Sequence, residues 1–122
     1  MAYIKDYQSG HYLVSIDGDY LKDFQTGRYL IKIDGNIATD YQTGRYILSF
    51  DGDYIKDFQS GRYLYSFDGQ YLKDYQSGRY RFVIDGNYVK DFQSGRYLYV
   101  LDGYVPTYHL LAFLAACTPL VV

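Results

Sequence analysis

The sequence predicts an all-β fold with one C-terminal helix. The expected form is an antiparallel up-and-down meander of six hairpins, about 12 strands, closed into a barrel or strongly curled, with the apolar helix inside or against it. Three observations predict it. Asp-Gly recurs at 17, 34, 51, 68, 85 and 102, and Gln-Ser-Gly or Gln-Thr-Gly at 8, 25, 42, 59, 76 and 93, so two turn signals alternate with a shared period of 17 residues. The 122 residues hold 18 Tyr and no Trp, and all 14 acidic residues are Asp, a composition that favours strands and turns over surface helices. After Gly103 the repeat stops, and the chain turns apolar, without Asp, Lys or Arg.

Residues 1–122 read as one domain, with six tandem hairpin repeats over 3–103 and an apolar segment over 104–122. Each repeat holds two short runs rich in aromatic and branched residues, such as NYVKDF (87–92) and RYLYVL (96–101), too short for helices. Strands are therefore expected at 3–7, 11–16 and onward to 96–101. Asp-Gly between such runs predicts a two-residue type I′ turn, with positive φ at both central positions. Gln-Ser-Gly predicts a three-residue turn whose Gly is left-handed and forms a bulge. The Asp residues at 6, 23, 40, 57, 74 and 91 each precede Gln by two positions, where a carboxylate can accept the turn's backbone N–H groups.

Counting from those turns sets Phe24 against Arg28, Asp23 against Tyr29, Leu21 against Ile31 and Asp19 against Ile33. Leu21, Tyr29, Ile31 and Ile33 then share an inner face with Asp23 at its rim. Tyr20, Lys22, Phe24, Arg28 and Leu30 share the outer one, apolar rungs alternating with cations. The expected contact face is Tyr20, Lys22, Phe24, Arg28, Tyr54, Lys56, Phe58, Arg62, Tyr71, Lys73, Tyr75 and Arg79, with Lys and Arg stems laid over the rings. An even strand number lets the first and last strands pair antiparallel and removes both open edges. A ring of 12 strands at about 4.8 Å spacing is roughly 18 Å across before tilt, wider than its own side chains fill.

The tail supplies the filling. Pro106 suits a first helical turn, Thr107 lies near the cap, HLLAFLAA forms helix strongly, and Pro119 ends it, giving a helix over about 107–117. Its length of roughly 16 Å matches the height of a barrel of six-residue strands and falls short of the roughly 30 Å of a membrane's hydrocarbon. Enclosure is expected. Leu110, Leu111, Phe113 and Leu114 should be buried with Tyr29, Ile33, Tyr46, Phe50 and their equivalents. His109, His11 and the single Cys117 have no partner set for metal or triad chemistry, and structural roles are expected for them.

The unit DGNYVKDFQSGRYLYVL resembles the 17-residue DGNxIK/SGRxLY tandem β-hairpin repeats of uncharacterised bacterial proteins, over residues 3 to about 116. That resemblance implies a bacterial source and carries no activity or site residues. The Tyr/Gly hairpins also resemble choline-binding and glucan-binding cell-wall repeats and MORN repeats, but the Trp that builds wall-binding sites and the MORN glycine spacing are absent.

The net charge of −2 gives no bulk attraction for nucleic acid or an anionic membrane, so neither is an expected partner. The polar opening and the lone cysteine point to the cytoplasm. No cofactor motif or metal-ligand spacing occurs, and DGD at 17–19 and 51–53 lacks the Glu that completes a calcium loop. Sixfold repetition suits scaffolding or multivalent contact better than a catalytic centre, whose groups converge once. The expected function is thus a non-enzymatic structural or binding repeat module, by self-association or a multivalent ligand. Two alternatives are a multivalent carbohydrate or cell-surface binding protein using the aromatic/basic face, and a small enzyme at the irregular third repeat. There Asn36-Ile37-Ala38-Thr39-Asp40 replaces the usual pattern; elsewhere, Arg81 replaces a recurrent Leu.

Overall fold

Two alternating turn types, six at Gln-Ser/Thr-Gly and five at Asp-Gly, join the strands of the chain, for which a computed structural model describes residues 2–117. Between them run strands β1 (Ala2–Asp6), β2 (Tyr12–Asp17), β3 (Tyr20–Asp23), β4 (Tyr29–Asp34), β5 (Ile37–Asp40) and β6 (Tyr46–Asp51). The second half repeats the scheme with β7 (Tyr54–Asp57), β8 (Tyr63–Phe67), β9 (Tyr71–Asp74), β10 (Tyr80–Asp85), β11 (Tyr88–Asp91) and β12 (Tyr97–Asp102). Each strand pairs antiparallel with its sequence neighbours, and β1 pairs with β12, Tyr3 opposite Asp102, so the meander closes into a barrel.

The Asp-Gly turns differ from the type I′ expectation. Asp17 pairs with Tyr20, leaving Gly18 and Asp19 as the central residues. Gly18 has φ of 59°, and no described residue other than glycine has positive φ. A left-handed first position alone is the signature of a type II′ turn, which asks nothing unusual of Asp19. The carbonyl of this second central residue then accepts the N–H of Ile33 at 2.7 Å, and Asn36, Asp53, Gln70 and Asn87 repeat the bond along the rim.

The Gln-Thr/Ser-Gly turns are one residue longer than counting predicts, and this alters which side chains face inward. Asp23 N–H donates to Arg28 O, and Gly27 N–H donates back to Asp23 O, so the loop is the four residues 24–27. Tyr29 therefore lies opposite Lys22 rather than Asp23. A bulge absorbs the slip at Leu30, because Leu21 still pairs with Ile31. An extra residue in one strand turns two successive side chains toward the same face. Leu30 consequently packs on the core, as do Leu13, Ile47, Leu64 and Leu98, while Tyr29 moves outside. Tyr46, expected inside, is 53% exposed for the same reason.

The interior is built in rings. The inward residue at the middle of each short strand, Ile4, Leu21, Ala38, Ile55, Leu72 and Val89, is at most 1% exposed. Full burial of each large member stabilises the fold by about 1.5–3 kcal/mol. Inside the ring runs helix α1 (Thr107–Ala112), continued by a π-helical segment, Phe113–Cys117. His109 to Leu114 and Cys117 are all buried, as a helix apolar on every side requires. Pro106 occupies the N-cap without a side-chain cap bond. Pro119, the expected stop, lies outside the described residues.

The helix is off centre. It packs against β4, stacks Tyr108 on Phe50 of β6, and brings Cys117 near Asp40 at the end of β5. Here the inward residues are smaller, including Ile31, Ala38 and Leu48, all buried. On β8 and β10, Tyr65, Phe67 and Phe82 are larger, and they and Ile84 are only half-buried. Unequal side chains thus fit an off-axis plug into a repeating wall.

Candidate functional site

The outer wall carries a belt of aromatic clusters. Because the bulge turns Tyr29 outward, its ring stacks on Tyr20 at 4.6 Å, and Tyr41 from the next repeat's turn meets it edge-on at 5.1 Å. The same triad recurs as Tyr3/Tyr12/Phe24, Tyr54/Tyr63/Tyr75 and Tyr71/Tyr80/Phe92. A further one, Tyr88/Tyr97/Tyr7, takes its third ring from the first repeat, across the β1–β12 seam. Ile37 replaces the first ring of the remaining cluster, leaving Tyr46 and Phe58.

Each complete cluster has a lysine above it. Lys22 Nζ lies 5.5 Å from the Tyr29 ring centre, and Lys5, Lys56, Lys73 and Lys90 repeat the contact at 5.4–5.7 Å. This follows from register: the bulge sets Lys directly opposite Tyr. In the third repeat Thr39 occupies that place opposite Tyr46. The arginines act elsewhere. Arg28 donates to Gln42 Oε1 at 2.9 Å, Arg45 to Gln59 at 2.9 Å and Arg62 to Gln76 at 3.4 Å, each tying one turn to the next.

Between the repeats in the middle of the wall these groups line two shallow clefts of similar composition. One cleft has Arg45, Tyr46, Phe58 and Gln59; the next has Lys56, Arg62, Tyr63, Tyr75 and Gln76. Of the expected contact residues, Tyr20, Lys22, Phe24, Tyr54, Lys56, Phe58, Tyr71, Lys73 and Tyr75 all belong to the belt, and Arg28, Arg62 and Arg79 stand on the exposed turns at its edge. Counting missed Tyr12, Tyr29, Tyr46, Tyr63, Tyr80 and Tyr97, assigned to the wrong face. The polar segment RY ahead of Leu was a signal, since Tyr tolerates a wet surface that Leu does not.

The turn aspartates are committed locally. Asp23 Oδ2 accepts Thr26 N–H at 2.8 Å and its hydroxyl at 2.6 Å, as the sequence led us to expect, and Asp57, Asp74 and Asp91 hold Ser60, Ser77 and Ser94 likewise. These bonds from Ser60, Ser77 and Ser94 hold the three carboxyls below their ordinary range. The other rim is acidic too, and there Asp68 accepts the N–H groups of Gln70 and Tyr71, while Asp17 and Asp102 accept the hydroxyls of Tyr29 and Tyr12. Asp17, Asp19, Asp34, Asp51, Asp53, Asp68, Asp85 and Asp102 belong to the Asp-Gly turns, which contain no Lys or Arg.

The third repeat does not gather its odd residues. Asn36 donates to Phe50 O at 3.2 Å, Ala38 faces the core, and Ile37 and Thr39 lie on the outer face with Tyr46 and Ser49 opposite. His109 is buried with Nε2 2.9 Å from Gly18 O, a bond that makes this nitrogen the protonated donor. Burial pushes the Cys117 thiol up to about 12, far from a reactive thiolate. No group of three metal-ligating side chains gathers among the described residues, and no helix there is long and apolar enough to cross a membrane.

No protein-family model, curated protein or solved structure shows significant similarity to this chain.

Proposed function

We propose that the protein is a non-enzymatic, multivalent carbohydrate-binding module that uses the outside of its barrel. The observation that carries this reading is the recurrence of one cleft, an Arg, a Gln and two aromatic rings, between successive repeats. Sugar rings present both an apolar C–H face and flanking hydroxyls. Tyr and Phe faces match the first, and Arg and Gln donors match the second. Two strands per repeat set the clefts about 10 Å apart around the wall, so one polymer can touch several. The belt is also aromatic beyond ordinary surface: Tyr41 is 48% exposed, Tyr75 48% and Phe24 46%. Contiguous exposed apolar surface of this kind marks contact sites.

Weak equivalent sites lose avidity one at a time. Titration of soluble polysaccharides by calorimetry should therefore show binding that weakens stepwise through Arg45→Ala, then Arg45→Ala with Arg62→Ala, then addition of Tyr63→Ala. Belt variants that leave glycans unbound in every form, but shift the protein from oligomer to monomer on size exclusion, would assign the belt to self-association instead.

A further inference from the structure

The off-axis helix leaves space inside the barrel. Between α1 and the β6–β12 wall lies a cavity of about 510 Å³, within the size range of small-molecule sites. Its depth is apolar: Phe50, Ile55, Phe67, Ile84, Leu110 and Leu111 line it. The half-burial of Phe67 and Ile84, on the wall farthest from the helix, is the same space seen from the side chains.

The mouth has the opposite chemistry. Gly52, Gly69, Gly86 and Gly103 place it at the Asp-Gly rim, and Asp53 and Asp68 line it directly. Asp68 is held ionised by the N–H groups of Tyr71 and Gln70, at 2.7 and 3.0 Å. Tyr104, 81% exposed, adds an aromatic ring at this mouth. Carboxylates set beside an aromatic ring attract a cation by charge and by the ring's negative face.

We propose that this cavity binds a small amphipathic cation, whose apolar or aromatic body enters the space between α1 and β8–β10 while its amine stays at Asp53 and Asp68. The site opens at the Asp-Gly rim and shares only Tyr54 with the outer belt. Neutral apolar molecules would share the wall contacts and lose the mouth. Apolar anions would meet repulsion from the whole acidic rim.

Three probes with one ring system separate these terms: naphthylmethylammonium, naphthylmethanol and naphthoate, titrated into the full chain at neutral pH. The ammonium should bind at least about tenfold tighter than the alcohol, and naphthoate weakest. Asp53→Asn with Asp68→Asn should bring the ammonium to the level of the alcohol. Ile84→Phe, which fills the cavity, should weaken all three. Methyl NMR signals of Leu110 and Leu111 in the unaltered protein should move with saturation by the ammonium, which distinguishes the interior from stacking on the belt. The proposal is overturned if the three probes bind equally, if none binds, or if Leu110 and Leu111 do not respond.

Discussion

Phe50 on β6 and Tyr108 in the first turn of α1 lie face to face, ring centres 4.3 Å apart and planes 8° from parallel. This pair joins wall to plug at the point where the helix enters the barrel. Phe50 is 2% exposed, so Phe50→Ala removes both its own burial and the partner face of Tyr108. The expected loss is about 3–5 kcal/mol, read from urea melts, against well under half of that for Phe58→Ala on the outer wall. Equal losses would mean that the helix does not depend on this contact.

Ala38 takes the place of Ile, Leu or Val in the other five copies, and it is fully buried beside the strand that α1 packs against. Its small size is explained by the helix's close passage. Ala38→Leu, which restores the repeat's own pattern, should destabilise by about 1–3 kcal/mol through overpacking. A stabilised variant would show that the wall has room to spare there.

The third cluster lacks its first ring and its lysine, and Tyr46 is the most exposed of the belt's rings at 53%. Ile37→Tyr with Thr39→Lys should rebuild the stack and the cation–π contact. A gain of up to about 1 kcal/mol is expected, together with reduced Tyr46 exposure by chemical modification.

Acid should act in two stages. Burial holds the His109 imidazole below its ordinary value, so its neutral form stabilises the fold fully above about pH 6.5 and this contribution falls away as pH drops toward the lower folded value. Asp57, Asp74 and Asp91 are likewise held low, by bonds from Ser60, Ser77 and Ser94, and their contribution is present above about pH 4 and lost below it. His109→Gln retains a donor for Gly18 O without a titrating group. It should flatten the upper stage of a stability profile between pH 7 and 5 and leave the lower stage in place; a profile unchanged by this variant would remove His109 from the account.

The period and the tail made the architecture legible, because a 17-residue alternation of two turn signals admits little besides six hairpins, and an apolar helix of this length has few places to go. Turn lengths were less legible. Phe24-Gln25-Thr26-Gly27 and a three-residue loop have the same Gly, and only the bond from Asp23 N–H to Arg28 O separates them. That one residue moved Tyr29 and its equivalents outward and Leu30 inward, as in every copy but the fifth, where the corresponding Arg81 is exposed. About a third of the belt's rings were therefore hidden from counting, though Lys22 and Tyr20 were on the expected face. The interior cavity was not legible at all, since it arises from the helix's offset rather than from any motif.

The repeats close around the tail helix, which fills the middle of their core. Truncation before Val105 removes Leu110, Leu111, Phe113 and Leu114, each at most 5% exposed, and leaves a barrel wall with one layer of apolar side chains. Thermal melting followed by near-UV circular dichroism, with size exclusion on the same sample, measures the consequence. The expected result is an aggregated or molten chain without a cooperative transition. A monomeric truncated protein that melts cooperatively, with its aromatic signal intact, would contradict it.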